Sequence, residues 1–353
     1  MKIATFFAGA GGLDRGFEDA GFDVVWANEY DKSIWATYQH NFPNTVLDTR
    51  SIVEVSPLDV PTCDGMIGGP PCQSWSEAGA HRGIEDQRGQ LFFEYIRILK
   101  HVEPKFFLAE NVSGILSSRH RSAFESILDR FKSLGYNVKY KMLRTSDFGV
   151  PQDRDRVIIV GIREDLGREF EFPQPIGNAP TLHDAIGEMP KPKANKSLSA
   201  KVDHPEVANH EYLVGGFSSM FMSRNRVRTW SEQSFTIQAG ARHAPIHPSA
   251  PRMEKVRQDE FRFIPGQESK YRRMSVRECA RIQTFPDTHQ FCYDRIIDGY
   301  KMIGNAVPVE LAYHLAKQLM ETLKGKPTKK SCVIETKPTA AGASISRRTR
   351  QKA

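Results

Sequence analysis

The feature that most constrains the fold is an alternation of strand-like and helix-like segments in the first half of the chain. Short apolar runs typical of buried strands alternate there with longer helix-like stretches. This pattern predicts an α/β fold with a mostly parallel sheet covered by helices. Strands are predicted at 2–8, 23–28, 64–68, 105–109, 136–143 and 156–162, and helices at 12–20, 32–41, 91–101 and 121–134. Ligands bind such sheets at the carboxyl ends of the strands.

The alternation stops near residue 172, where Pro, Lys, Asn and Ser become frequent. We therefore predict a first domain over residues 1–172 and a smaller domain, mostly irregular or β, over 173–285. Residues 286–323 are predicted to return to the first domain through a helix at 309–324 with leucines on one face. The segment 324–353 is predicted to be a basic, disordered tail.

The net charge of +7 is unevenly distributed along the chain. Residues 215–275 contain 11 Lys and Arg against five Asp and Glu, and residues 324–353 contain nine Lys and Arg against one Glu. A basic face on an otherwise acidic body suits a protein that binds a polyanion. A solvated charge cluster is the alternative interpretation.

The cysteines and the apolar segments exclude several classes of protein. The five cysteines are odd in number and lack metal-ligand spacing, so neither a disulfide scaffold nor a metal site is expected. The sequence has no cleavable signal and no apolar run of membrane length. We therefore expect a cytoplasmic protein without a membrane partner.

A glycine-rich stretch, residues 7–12, follows the first predicted strand and opens the first helix. Glycines at this position let a ligand approach backbone N–H groups at a helix amino terminus. A nicotinamide fingerprint requires glycine at the position of Asp14, which disfavours a dehydrogenase. Glu29, at the end of the second strand, is placed to bind two ribose hydroxyls, and Tyr30 could stack on a base. A tight turn without a ligand is the alternative.

Two reactive residue types follow neighbouring predicted strands. Cys72 comes after Pro70 and Pro71, and Glu110 follows the next strand. A thiolate can attack a ring covalently while a carboxylic acid donates a proton to it. In isolation, Cys72 could equally be an inert buried thiol and Glu110 an exposed acid at a strand end.

Two arginines could supply the positive environment that activates a thiol. Arg154 and Arg156 are alternate residues just before a predicted strand, so their side chains are expected to point the same way. A solvated cluster paired with Asp153 and Asp155 is the alternative.

These residues resemble the motifs of bacterial DNA (cytosine-5)-methyltransferases of the type II restriction-modification class. The match extends from residue 1 to about residue 323. Its motifs are Phe7 to Gly12, Asn28-Glu29-Tyr30-Asp31, Gly69-Pro70-Pro71-Cys72-Gln73, Glu110-Asn111-Val112, Gln152 to Arg156, Arg277 to Arg281, and Gly304 to Pro308.

The resemblance implies a Rossmann-like sheet that binds S-adenosylmethionine. It places Glu29 on the ribose, Tyr30 against the adenine ring and Asp48 at the adenine amino group. The other residues implied for the cofactor are Phe7, Ala8, Gly9, Ala10, Gly11, Gly12, Pro71, Leu91, Asn305 and Ala306.

The resemblance also implies a mechanism. Cys72 adds to C6 of cytosine while Glu110 protonates or hydrogen-bonds N3, which makes C5 nucleophilic. Because C6 is inaccessible in a stacked duplex, the base must be everted. Arg154 and Arg156 would hold it, and the loop at 73–89 would close over it.

Selection of the DNA site is assigned to the smaller domain. Arg and Gln can read guanine and adenine edges in the major groove, and the candidates are Arg224, Arg226, Arg228, Gln238 and Arg242. Phosphate contact is the alternative for any one arginine. The segment 223–228 and His247-Pro248 resemble GGCC-modifying relatives, whereas 239–245 departs from them, so a GTCGAC-like site remains open.

The expected partners are duplex DNA and, as a genetic partner, a cognate restriction endonuclease. A monomer is expected. A tRNA cytosine-5 methyltransferase shares the catalytic motifs, but the Cys-Phe-Thr tripeptide of those enzymes is absent from the sequence. A catalytically dead DNA-binding regulator is disfavoured because Cys72 and Glu110 are both present.

Overall fold

The structure, a computed structural model, describes residues 1–71 and 87–325. Cys72, most of the loop at 73–89 and nearly all of the predicted tail lie outside these residues. No helix in the described part of the chain has the length and apolar character needed to cross a bilayer.

A seven-stranded sheet forms the centre of the molecule. Its strands are β1 (Lys2–Phe6), β2 (Asp23–Asn28), β3 (Val46–Asp48), β4 (Gly65–Gly68), β5 (Phe106–Val112), β6 (Tyr136–Arg144) and β8 (Asp155–Arg163), in the spatial order β3-β2-β1-β4-β5-β8-β6. The short β7 (Gln152–Asp153) lies outside this sheet. The chain winds one way from β1 and the other way from β4, so the strand order switches between them.

The predicted α/β class is confirmed, with one reversed strand. The pairs among β1 to β5 are parallel, but β8 is antiparallel to both β5 and β6. Its residues 157–162 are buried, as expected for a central strand. The burial pattern is the same for either direction, which is why the sequence did not indicate the reversal.

Helices cover both faces of the sheet. They are α1 (Gly12–Asp19), α2 (Lys32–Asn41), α3 (Gln87–Val102), α4 (Arg121–Ser133), α5 (Leu182–Ile186), α6 (Val276–Ile282), α7 (Ile296–Asn305) and α8 (Val309–Lys324). α3 and α4 pack on one face, and α1 and α8 pack on the other. Gly16 lets α1 pack closely on α8, because a Cβ there would lie 2.5 Å from Ala312 Cβ and Val309 O.

The recognition region, defined here as residues 173–275, has little regular structure. It contains β9 (Lys193–Asn195), β10 (Glu211–Leu213), β11 (Ser234–Phe235), β12 (Glu254–Arg257) and β13 (Glu260–Arg262). These strands form only two-stranded pairs, and β11 pairs with β7 of the first domain. A small apolar core contains Phe221, Val227, Ile246, Ala250, Met253 and Tyr271.

A third apolar cluster joins the recognition region to the rest of the molecule. It contains residues of α5, α6 and α7 together with Ala10 and Ile34. α6 therefore packs with segments on both sides of the boundary predicted at residue 285. The assignment of domains stays a prediction.

Candidate active site

A cavity of about 350 Å³ opens at the carboxyl ends of β1, β2, β4 and β5, where the strand order switches. Its volume is within the range of small-molecule sites, about 300–1,000 Å³. This main cavity is lined by Thr5, Phe6, Phe7, Ala8, Gly9, Gly12, Leu13, Glu29, Asp31, Ile34, Gly69, Pro70, Pro71, Glu110, Asn111, Val112, Asn305, Ala306 and Val307.

The glycine-rich turn between β1 and α1 forms one wall of the main cavity. Phe7, Gly9 and Gly11 have positive φ angles of 55°, 57° and 80°, which reverses the chain directly after β1. A Cβ at Gly11 would lie 2.1 Å from the Phe42 ring, and a Cβ at Gly12 would lie 2.3 Å from Val307 O. These two glycines are therefore required by packing within the protein.

Glu29 is fixed at the cavity wall by two backbone donors. Its Oε2 accepts from the N–H of Gly9 at 2.9 Å and its Oε1 from the N–H of Asp31 at 2.7 Å. Burial raises the pKa of Glu29 against these hydrogen bonds. Each carboxylate oxygen keeps capacity for a second donor, so the donor and acceptor chemistry fits a ribose diol.

Eight of the residues predicted for the cofactor line the main cavity, and five do not. The eight are Phe7, Ala8, Gly9, Gly12, Glu29, Pro71, Asn305 and Ala306. Of the five, Tyr30 is 71% exposed, Ala10 and Gly11 pack inside the protein, and Leu91 packs against the core. The Asp48 carboxylate is ion-paired with Arg50 at 2.5 Å.

A carboxylate and a guanidinium form a nearly buried pair at another wall of the cavity. Arg156 Nε lies 2.7 Å from Glu110 Oε1, and the two side chains are 11% and 12% exposed. Burial lowers the pKa of Arg156, and the charge of Glu110 opposes this shift. A Cβ at Gly69 would lie 3.2 Å from Glu110 Oε2, so the missing side chain of Gly69 leaves room for the carboxylate.

Asn111 connects this pair to the chain that leads to Cys72. Its Nδ2 donates to Pro70 O at 3.0 Å, and the residue is buried. Pro71, the last described residue before Cys72, lines the main cavity. This role of Asn111 was not predicted from the sequence, although the residue stands beside Glu110.

Arg154 and Arg156 have different partners. Arg154 lies in the break between β7 and β8. Its side chain is 2% exposed and donates to the carbonyl oxygens of Ile237, Gly304 and Ala306. Of the two arginines, Arg156 forms the ion pair with Glu110, and the charges of both Arg156 and Glu110 act on Arg154.

The five predicted DNA-reading residues divide into an exposed group and a partnered group. Arg224, Gln238 and Arg242 are exposed. Arg226 donates to the carbonyls of Phe221 and Met220, and Arg228 is ion-paired at 2.8 Å with Asp153 and at 3.2 Å with Glu232. The hydrogen bonds of Arg226 and the ion pairs of Arg228 therefore stabilise the recognition region.

Two side cavities of about 220 and 490 Å³ lie in the recognition region. Both are lined by Phe221, Arg224, Arg226, Gln238 and His243. His243 was not among the predicted DNA-reading residues, and its signal in the sequence is its position next to Arg242.

Behind the glycine-rich turn, Asp14 is fully buried and accepts a hydrogen bond of 2.8 Å from the Tyr38 hydroxyl. Burial without a neighbouring cation raises the pKa of Asp14 to about 7. The residue helps to hold α1 against α2.

Comparison with known proteins agrees with this architecture. A family model described as C-5 cytosine-specific DNA methylase matches residues 1–321. The type II methyltransferase M.FnuDI of Fusobacterium nucleatum is 52% identical over 92% of this chain and 96% of its own length. The type II methyltransferase M.MthTI of Methanothermobacter thermautotrophicus is 53% identical over 92% of this chain and 98% of its own length.

A solved structure shares the fold. A prophage-encoded protein of E. coli, assigned as a DNA modification methyltransferase, superposes with a TM-score of 0.73 at 22% identity and covers 92% of this chain and 100% of its own. Together with the match over nearly all of the described residues, these similarities show that the chain belongs to the C-5 cytosine-specific DNA methylase family and is a DNA (cytosine-5)-methyltransferase.

Proposed function

We propose that this enzyme transfers a methyl group from S-adenosylmethionine to C5 of a cytosine in duplex GGCC sites and protects those sites from a cognate restriction endonuclease. The observation that carries the proposal is the Glu110–Arg156 pair, held against Gly69 at the edge of a cavity that reaches Pro71. This arrangement puts a positioned acid beside the chain that leads directly to Cys72.

The main cavity suits the cofactor because Glu29 offers two partly satisfied carboxylate oxygens to a ribose. Gly9, Asn305 and Ala306 provide backbone walls around it. When bound, S-adenosylmethionine supplies a sulfonium-activated methyl group. Of the residues assigned from the resemblance, Tyr30, Asp48 and Leu91 lie outside the lining, so we propose Glu29 as the principal anchor.

The chemistry proposed for the protein residues is activation of a poor nucleophile. The Cys72 thiolate forms a bond to C6 while Glu110 donates a proton or hydrogen bond to N3, and the electron pair of the ring moves toward C5. Arg156 holds the carboxyl group of Glu110 in place at 2.7 Å. Once C5 carries the transferred methyl group, loss of the C5 proton and expulsion of the Cys72 sulfur restore the aromatic ring.

The GGCC site is proposed from the resemblance of 223–228 and His247-Pro248 to GGCC-modifying relatives. Exposed Arg224 and Arg242 have donors that suit guanine edges, and Gln238 is exposed beside them. Asn225 and Arg226 support this surface, since Asn225 bonds the main chain of Val227 and Met253.

Bisulfite sequencing tests the activity and the site together. A plasmid with GGCC and GTCGAC sites is incubated with the enzyme and S-adenosylmethionine, sequenced after bisulfite treatment, and challenged with an endonuclease that cleaves GGCC. We expect 5-methylcytosine only within GGCC, together with resistance to cleavage. Cys72→Ala serves as the inactive control.

The outcomes separate the parts of the proposal. Methylation of another sequence refutes GGCC but not methyl transfer, and sustained turnover by Cys72→Ala refutes the covalent mechanism. Modification of transfer RNA instead of the plasmid would refute the DNA substrate.

Calorimetry tests the cofactor site independently of turnover. Glu29→Ala removes both carboxylate acceptors, so we expect affinity for S-adenosylhomocysteine to fall by more than about tenfold. The control is Glu164→Ala, which changes an exposed acid outside the cavity lining. Unchanged affinity in Glu29→Ala would refute the ribose assignment.

A further inference from the structure

The main cavity and the recognition region meet at one backbone contact. A Cβ at Gly304, near the end of α7, would lie 2.3 Å from Gln238 C and 2.4 Å from Ala239 N. The two main chains therefore touch directly. Asn305, the next residue, lines the main cavity, and Gln238 lines both side cavities.

One buried side chain bridges the same two segments. Arg154 Nη1 donates to Ile237 O at 2.9 Å, and its Nη2 donates to Gly304 O at 2.9 Å and to Ala306 O at 3.1 Å. The planar guanidinium holds its donors in a fixed fork, so it sets the distance between the carbonyl groups that it joins. A shift of either segment must disturb the hydrogen bonds of the other.

Two buried glutamines form a second bridge beside Arg154. Gln152 accepts from the N–H of Ile237 at 2.8 Å and donates to Gln283 Oε1 at 2.9 Å. Gln283 in turn donates to Ile303 O at 2.8 Å and to Ala306 O at 3.3 Å. Both bridges connect the residues before Gln238 with the residues around Asn305.

We propose that Arg154 is a positioning residue that couples the main cavity to the recognition region, so that ligand binding at either site strengthens binding at the other. The coupling rests on the proposed use of these sites for the cofactor and for DNA. A duplex that contacts Gln238 fixes segment 237–239, and Arg154 transmits this order to the carbonyls at 304 and 306. The effect must be reciprocal, since linked binding equilibria share one coupling free energy.

Calorimetry measures this coupling without turnover. The affinity of the full-length enzyme for S-adenosylhomocysteine is determined alone and with a saturating duplex that contains the sequence mapped by bisulfite treatment. For the unsubstituted enzyme we expect the duplex to increase the affinity about tenfold, within the usual range of about 5- to 150-fold. In Arg154→Lys the increase should fall below about threefold, because one ammonium group cannot span both segments.

Arg277→Lys is the matched control. Arg277 is 1% exposed and donates to the main chain of Ala208 and His289, away from both coupled segments. It should lose comparable thermal stability and keep the full coupling. Gly304→Ala, which separates the touching backbones, tests the contact independently of Arg154 and replaces Arg154→Lys if that variant fails to fold.

The possible results separate this inference from the proposed function. If the unsubstituted enzyme binds neither S-adenosylhomocysteine nor the duplex, the proposed function fails. If it binds both without mutual enhancement, or if the folded variants retain the full enhancement, only the coupling role of Arg154 is overturned. Loss of enhancement in Arg154→Lys and Gly304→Ala but not in Arg277→Lys supports the inference.

Discussion

The catalytic sheet and the recognition region satisfy their buried main chain in different ways. In the sheet, backbone groups bond to backbone groups along seven strands. In the recognition region, long polar side chains replace this ladder, and Arg273 donates to the carbonyls of Leu213, Gly215, Gly216 and Arg242. A side chain at the site in the sheet can therefore be changed without loss of the fold. A buried arginine in the recognition region, by contrast, stabilises the fold itself.

The largest effect should be a loss of methylation activity on changing a residue of the catalytic sheet. Glu110→Gln removes the carboxyl group that would transfer a proton but keeps an amide oxygen that can accept from Arg156, so we expect the methylation rate to fall by about 100-fold or more while the protein stays folded. Incorporation of labelled methyl groups and thermal denaturation measure the two quantities. Glu125→Gln, an exposed change on α4 in an ion pair with Arg121, is the control and should keep full activity.

The opposite result would assign Glu110 to the fold. If Glu110→Gln unfolds at ordinary temperature, and its folded fraction retains the methylation rate, then Glu110 stabilises the sheet and does not serve the chemistry.

The second effect should be a loss of stability in the recognition region. Arg273→Met keeps much of the side-chain volume but removes every donor to four main-chain carbonyls, of which that of Leu213 is buried, so we expect the free energy of unfolding to fall by about 3 kcal/mol. Urea denaturation provides the measurement. A loss below about 1 kcal/mol would mean that this main chain does not depend on Arg273.

Two buried acids differ in their charged neighbours and therefore in their response to pH. Glu278 in α6, the helix that directly follows the recognition region, is fully buried beside Arg272, which helps hold the pKa of Glu278 below its usual value despite burial. Asp14 in α1 has no such cation, and burial raises its pKa from 3.8 to about 7. The folded state therefore binds more protons at Asp14 than the unfolded state between about pH 4 and 7, and stability falls as pH rises through this window.

Asp14→Asn removes this titration and keeps an acceptor for Tyr38. From pH 5 to pH 8, we expect the unfolding free energy of the variant to gain about 2–3 kcal/mol relative to the unsubstituted enzyme. Urea denaturation at both values provides the test. A difference that does not change with pH would contradict the raised pKa.

The smallest effect should come from an exposed arginine in the same recognition region. Arg257 pairs with Glu260 across β12 and β13, and its side chain is 79% exposed. Solvent screens such pairs, so Arg257→Ala should leave the denaturation midpoint unchanged within error. A loss comparable to that of Arg273→Met would show that burial does not distinguish the two arginines.

The same contrast explains which parts of the structure the sequence could predict. Regular periodicity identified β2, α2 and α8 with the bounds that the structure gives them. β3 has only three residues, which are too few to establish a period, and β5 continues past Ala109 to include Glu110. The direction of β8 has no signature in the composition of a buried strand.

The residues of the candidate site could likewise be predicted only in part. Motifs identified the glycine-rich turn, Glu29 and Glu110 because the first two directly follow strands and Glu110 lies in β5, near its carboxyl end. The position of Arg154 depends on carbonyls 83 and 150 residues away in the chain, which no local pattern encodes. The roles of Gly69, Asn111 and His243 likewise arise from tertiary neighbours.

The closure of the main cavity by Asn305, Ala306 and Val307 has a consequence for biosynthesis. A ribosome makes the glycine-rich turn near the start of translation, but the opposite wall emerges only about 300 residues later, followed by the helix that packs on α1 at Gly16. Unfinished and prematurely terminated polypeptides therefore lack a complete main cavity. Most of the chain must be synthesised before the two opposing walls can meet.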